Sequence, residues 1–182
     1  MVDITRAQRI EGWMEDPDLL WLAEQASTHS KIVEVGSWFG RSTRAIVDNT
    51  TGVVVAVDTW EGSDEDAHRA ILAGKPENWL FGEFAKNMEG LPTGRLYAFR
   101  GLSVDATKYY RHMGVTFDMV FLDAAHDYEN VAADIRAWQP LIAPRGIISG
   151  HDYGSWDGVT QAVDELLPDH KVGGQFIWYK EL

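Results

Sequence analysis

The chain has 182 residues and a formal net charge of −12, with 45% hydrophobic residues and no cysteine. That length and apolar content suit one domain with a proper core, while the missing cysteines exclude disulfides, thiolate chemistry and Cys-ligated zinc. The acidic balance argues against a nucleic-acid partner, and no run of eighteen apolar residues is present to span a membrane. The first residues, MVDITRAQRIEGW, lack an apolar signal-peptide core, so a cytoplasmic protein is expected.

The first helix is expected after Asp16-Pro17-Asp18, with an acid at the cap and proline in the first turn. Leu19, Leu20, Leu22, Ala23 and Ala26 then supply an apolar face at helical spacing. The stretch Lys31 to Ala45, KIVEVGSWFGRSTRA, organises the rest of the chain. An apolar, β-branched run through Val35 meets Gly36 and then Gly40, and a helix-like run starts at Arg41. The pattern predicts a buried strand, a tight turn and a helix whose first N–H groups suit a carboxylate or phosphate. Glu34 is an acid inside an apolar strand, so it should be aimed at a hydrogen-bond donor. The glycine spacing fits neither a P-loop, which needs Gly-Lys-Ser/Thr, nor the dinucleotide pattern G-x-G-x-x-G.

Val53 to Val57 is an uninterrupted apolar run ending at Asp58, as expected of a strand covered on both faces. Residues 61–92 are polar, hold Gly62, Gly74, Pro76 and Gly82, and include an amphipathic piece at Trp79–Met88. This is longer than a crossover needs and reads as an insertion or lid. A third strand is expected at Arg95–Arg100, and a fourth at Phe117–Asp123 with a helix over Glu129–Leu141 after it. Pro144-Arg145-Gly146 reads as a turn into a fifth strand, Ile147–Ser149. Next come a helix over Trp156–Leu167 and a hairpin on a two-residue Gly173-Gly174 loop. Alternating strands and helices predict a doubly wound, mostly parallel seven-stranded α/β sheet with a C-terminal antiparallel hairpin.

Ligands of such sheets sit beyond the carboxyl ends of the strands. Those ends carry Gly36-Ser37-Trp38, Asp58-Thr59-Trp60, Gly101 to Ser103, Asp123 to Asp127, and His151-Asp152-Tyr153. Asp58 stands about twenty residues after the glycine turn, where dinucleotide folds place an acid on ribose hydroxyls; the alternative is a helix cap. His29, His68, His112 and His170 lack such a setting and read as surface.

The pattern E-x-G-x-x-x-G at Glu34–Gly40 resembles motif I of the class I S-adenosylmethionine-dependent methyltransferases. RIEGW, IVEVGSWFGRST, FDMVFLDAAHDYENVAADIRAW and PRGIISGHDY together look like the small-molecule O-methyltransferases that include macrolide-sugar and aminocoumarin enzymes and a cephalosporin-hydroxylase-like protein. The resemblance runs from about Arg9 to Tyr153. It implies a Rossmann-like domain, with Glu34, Gly36, Ser37, Trp38, Gly40, Ser42, Asp58, Thr59, Ser103 and Asp123 at the cofactor. It implies magnesium held by Asp123 and Asp152, with Asp123 alternatively bonding the cofactor's amino group. The usual third-ligand place holds Tyr153, a poor magnesium ligand. His126 takes the position of the general base, His151 is the second candidate, and Asp123 assists. The expected substrate is a small hydroxylated molecule, and the oligomeric state stays open. The rival readings are a non-catalytic cofactor-binding protein and, more weakly, an NAD-dependent oxidoreductase.

Overall fold

A computed structural model describes residues 1–182. In chain order the elements are α1 (Asp16–Ala26), β1 (Lys31–Val35), α2 (Arg41–Asn49), β2 (Val53–Asp58), α3 (Asp66–Leu72) and α4 (Trp79–Asn87). They continue with β3 (Leu96–Arg100), α5 (Ser103–His112), β4 (Phe117–Leu122), α6 (Tyr128–Trp138), β5 (Ile142–Gly150), α7 (Asp157–Leu166), β6 (Lys171–Gly173) and β7 (Ile177–Glu181). The seven strands form one sheet in the order β3-β2-β1-β4-β5-β7-β6. The first five in that order pair in parallel, and β7 pairs antiparallel with both β5 and β6.

Side chains alternate across the sheet, so each strand feeds two cores. Ile32, Val54, Met119 and Phe121 face one cluster with Leu19, Ile46 and Phe84. Val33, Val55, Val120 and Leu122 face the other with Ile135, Trp138 and Val163. This two-sided burial explains the near-continuous apolar strands. No helix is long and apolar enough to cross a membrane.

The strand order reverses direction at β1, with β2 on one side and β4 on the other. Crevices at such switch points are where ligands bind. Gly36 sits at this place with φ +91°, and a Cβ there would collide with the carbonyl oxygen of Asp123 and the backbone of Ala124. The glycine is thus required by β4 coming close beside the turn, as well as by the turn itself.

Three expectations need correction. Pro144-Arg145-Gly146 is no turn ahead of β5 but lies within it, opposite a register shift between Phe117 and Met119, with Arg145 at φ +67°. The irregularity absorbs residues that a regular strand would reject. The terminal hairpin turns through Gly174-Gln175-Phe176, because Gly173 pairs with Ile177 inside the ladder. The fourth strand ends at Leu122, leaving Asp123 just beyond it.

Candidate active site

A cavity of about 780 Å³ opens over the carboxyl ends of the parallel strands. Its lining includes Gly36, Ser37, Trp38, Ser42, Asp58, Thr59, Ser103, Asp123, His126 and Asp152. Of the residues expected at the cofactor, Glu34 and Gly40 are placed elsewhere. Glu34 is fully buried beneath the turn, accepting hydrogen bonds from Ser37 Oγ at 2.7 Å and from Thr43 Oγ1. Burial pushes its carboxyl pKa up against these donors. Gly40, at φ +89°, is the left-handed residue before α2, and a Cβ there would press on Met88 and Phe84 of the neighbouring segment. Both residues shape the turn from behind and neither lines the cavity.

The turn itself is wired to β2. Asp58 Oδ2 accepts from the Trp38 N–H at 2.8 Å, and Oδ1 from the Trp60 N–H at 2.7 Å. Trp60 Nε1 donates to the Trp38 carbonyl at 3.0 Å. Trp38 and Trp60 both have positive φ, 49° and 53°, a conformation that bulky residues hold only when surroundings impose it. Asp58 is no helix cap, since the next helix starts at Asp66 after Glu65, and it lines the cavity. On the next strand end, Ser103 Oγ donates to Asp134 at 2.5 Å and receives Trp138 Nε1 at 2.9 Å.

The β4 and β5 ends build a different arrangement. Asp152 stands at φ +67°. His126 Nε2 lies 3.0 Å from Asp152 Oδ2, and its Nδ1 lies 2.8 Å from Glu65 Oε1 of the 61–92 segment. His151 Nδ1 lies 3.3 Å from Asp152 Oδ1 and 3.7 Å from Asp123 Oδ1. Its Nε2 meets Asp18 at 3.1 Å. Burial opposes charge on both imidazoles, yet the surrounding carboxylates prevail: His126 is pushed up to about 9 and His151 to about 10. Burial raises Asp123 to about 7 with help from Asp152, against the pull of His151. Asp152 is held well below the usual carboxylate range, since its two histidine partners outweigh its burial.

Ligand atoms of Asp123, His126 and Asp152 all lie within 4.8 Å of one another, so the three can share one cation. Tyr153 is not part of this group, for its hydroxyl donates to Asp164 at 2.8 Å. Two carboxylates make a hard, anionic set suited to Mg²⁺ or Mn²⁺, and an imidazole at the third place shifts the preference toward the latter.

Several lining residues escaped the sequence reading. Asp18 was one more acid in a helix start, yet it is fully buried and accepts from the N–H groups of Gln175 (2.5 Å) and Phe176 (3.1 Å). Glu65 lay in a run of surface-like acids. His68, read as surface, stacks on Trp38 with ring centroids 4.1 Å apart. Trp13, in the RIEGW motif, lies 5.8 Å from the Trp38 ring. None is announced by local spacing, because each reaches the cavity through tertiary packing.

The chain matches the model of a protein family described as a methyltransferase domain, over residues 33–153. It belongs to that family. It is 26% identical over 194 residues to the uncharacterized protein y4gI of Sinorhizobium fredii (strain NBRC 101917 / NGR234), covering 94% of this chain but only 20% of that protein. The chain thus spans about a fifth of the length of this curated relative. Similar solved folds include CalS11, described as a TDP-rhamnose 3'-O-methyltransferase of calicheamicin biosynthesis (TM-score 0.59, 19% identity, 90% of this chain and 78% of that one). They also include an O-methyltransferase from Bacillus cereus in complex with S-adenosylhomocysteine (0.60, 19%, 97% and 86%). A third is TomG of Streptomyces achromogenes, involved in tomaymycin synthesis, in complex with S-adenosylmethionine (0.62, 15%, 92% and 79%).

Proposed function

We propose that the methyltransferase takes its methyl group from S-adenosylmethionine and acts on a hydroxyl oxygen of a small molecule, with His126 as general base and a divalent cation held by Asp123 and Asp152. The grouping of these three side chains at the mouth of the switch-point crevice carries the reading. The donor's carboxylate fits the unpaired N–H groups of the first turn of α2, and the buried Nε1 of Trp38 has no partner of its own. Gly36, Ser37 and Ser42 shape this end, Asp58 and Thr59 would meet the ribose, and Ser103 lies toward the base. When bound, S-adenosylmethionine supplies an electrophilic methyl on a sulfonium, and transfer needs an acceptor oxygen in line with it.

The residues divide the remaining work. Asp123 and Asp152 would hold the cation, whose charge would lower the pKa of a bound hydroxyl. With carboxylates free, His126 carries a proton at neutral pH and cannot accept another. With Asp152 committed to a cation, the imidazole loses the strongest partner of its protonated form, and its neutral form becomes available. Glu65 then holds Nδ1, leaving Nε2 for the acceptor's proton. The reading of 61–92 as a lid is supported by Glu65 on His126 and His68 on Trp38; closure there excludes water from the transfer.

Calorimetry with S-adenosylhomocysteine is the first test. Micromolar-range binding that Asp58→Ala weakens is expected, whereas no binding would overturn the reading. Activity on a found acceptor should be lost in EDTA and restored by Mg²⁺ or Mn²⁺; full activity in EDTA would remove the metal and leave Asp123 as a cofactor contact.

A further inference from the structure

The cavity is lined by eight acidic residues, one arginine and no lysine. Its cationic groups are all engaged by the protein itself. Arg41 turns its guanidinium to the carbonyl oxygens of Met14 and Ile10, both at 2.8 Å, and of Gln8 at 3.1 Å. Both ring nitrogens of His126 face carboxylates, those of Glu65 and Asp152. Both nitrogens of His151 do the same, toward Asp18 and toward Asp152. His68 Nδ1 is taken by Ser63, whose Oγ lies 2.7 Å away and whose N–H donates at 3.2 Å. Away from the α2 N–H groups and the proposed cation, an anionic group entering here would lose its water, meet carboxylates, and find no free lysine or arginine in return. The net charge of −12 extends the same repulsion to the approach.

What the cavity does offer is flat apolar surface. Trp13 and Trp156 line it and remain 56% and 45% exposed. Trp156 lies over His126, with centroids 4.5 Å apart and planes within 11°, so the base covers one indole face and an acceptor ring meets the other face or the edge. Indole faces attract aromatic rings and, more strongly than other side chains, cations.

We infer that the acceptor is a neutral or cationic hydroxylated aromatic compound, seated on Trp156 and Trp13, and that carboxylated or phosphorylated alcohols are refused. This rests on the methyl-transfer reading of the same cavity. Three phenols of one shape and different charge test it: tyramine, 4-ethylphenol and 4-hydroxyphenylacetate, titrated by tryptophan quenching with S-adenosylhomocysteine and magnesium present. Tyramine and 4-ethylphenol should bind about tenfold or more tighter than 4-hydroxyphenylacetate. Trp156→Ala should weaken both roughly three- to tenfold, with S-adenosylhomocysteine affinity unchanged. The inference is overturned if the carboxylate binds as well as its analogues, if none of the phenols binds, or if thymidine diphosphate displaces tyramine. In each of those cases S-adenosylhomocysteine still binds; its failure to bind would strike the methyl-transfer reading as well.

Discussion

The two ends of the cavity solve the same problem, a buried carboxylate, in opposite ways. At the glycine turn, Glu34 and Asp58 are fed by neutral donors: two hydroxyls and two backbone N–H groups, all from β1, α2, β2 or their turns. At the β4 and β5 ends, Asp123 and Asp152 are held by imidazoles, which are themselves held by Asp18 from α1 and Glu65 from the 61–92 segment. The first end is local and held by neutral dipoles. The second is assembled from four distant segments and is a network of charges. A site whose task is to grip a cofactor gains from fixed dipoles, whereas one that must move a proton needs groups that titrate.

The sharpest test of that division is His126→Ala. It should lower the rate roughly 10²- to 10⁴-fold while S-adenosylhomocysteine affinity stays put; a variant with normal turnover would move the base assignment to His151. At the other end, Gly36→Ala should act on the fold. Its Cβ would meet the β4 backbone at a left-handed φ, so denaturant unfolding should show a loss of about 2–4 kcal/mol. Asp58→Ala should weaken S-adenosylhomocysteine by about 1.5–3 kcal/mol in calorimetry. Unchanged affinity would show that the ribose lies elsewhere.

The smallest effect is the stability of the metal-free protein against pH. His126 near 9 and His151 near 10 stand above the ordinary imidazole value of 6.5, so their stabilisation is complete below that value and drains away as pH rises through 9 and 10. Asp123, raised from 3.8 to about 7, acts in the same sense over a lower window. Asp152, lowered, contributes above 3.8 and loses its contribution in stronger acid. Urea midpoints should therefore fall between pH 6 and 10, and His151→Asn should flatten the fall. An unchanged slope in that variant would detach the network from stability.

The same contrast explains what the sequence revealed. The glycine turn, Asp58 and the strand ends were legible because period, glycine spacing and chain order place them, and the parallel sheet comes from alternation alone. The ionic end was half legible: Asp123, His126 and Asp152 stand at strand ends, but Asp18 and Glu65 look like solvated acids until packing brings them to an imidazole. Glu34 and Gly40 were assigned to the cofactor because they sit in the motif; the fold uses one as a buried anchor and the other as a spacer against α4. The 3-residue turn at Gly174 was misread because Gly-Gly mimics a tighter hairpin, while the Asp18 carboxylate stabilises the wider one.

That last contact spans 157 residues of chain. One carboxylate of α1 accepts from two amides of the β6–β7 turn and from His151, so the β4–β5 end of the cavity closes only when that hairpin docks. Closing so long a loop is entropically slow. On the ribosome, α1 through β5 would emerge with Asp18 and His151 in place and their amide partners not yet synthesised. Completion of this end of the cavity therefore waits on β6 and β7, and a nascent chain stalled before Phe176 would display a finished glycine turn beside an unlatched ionic network.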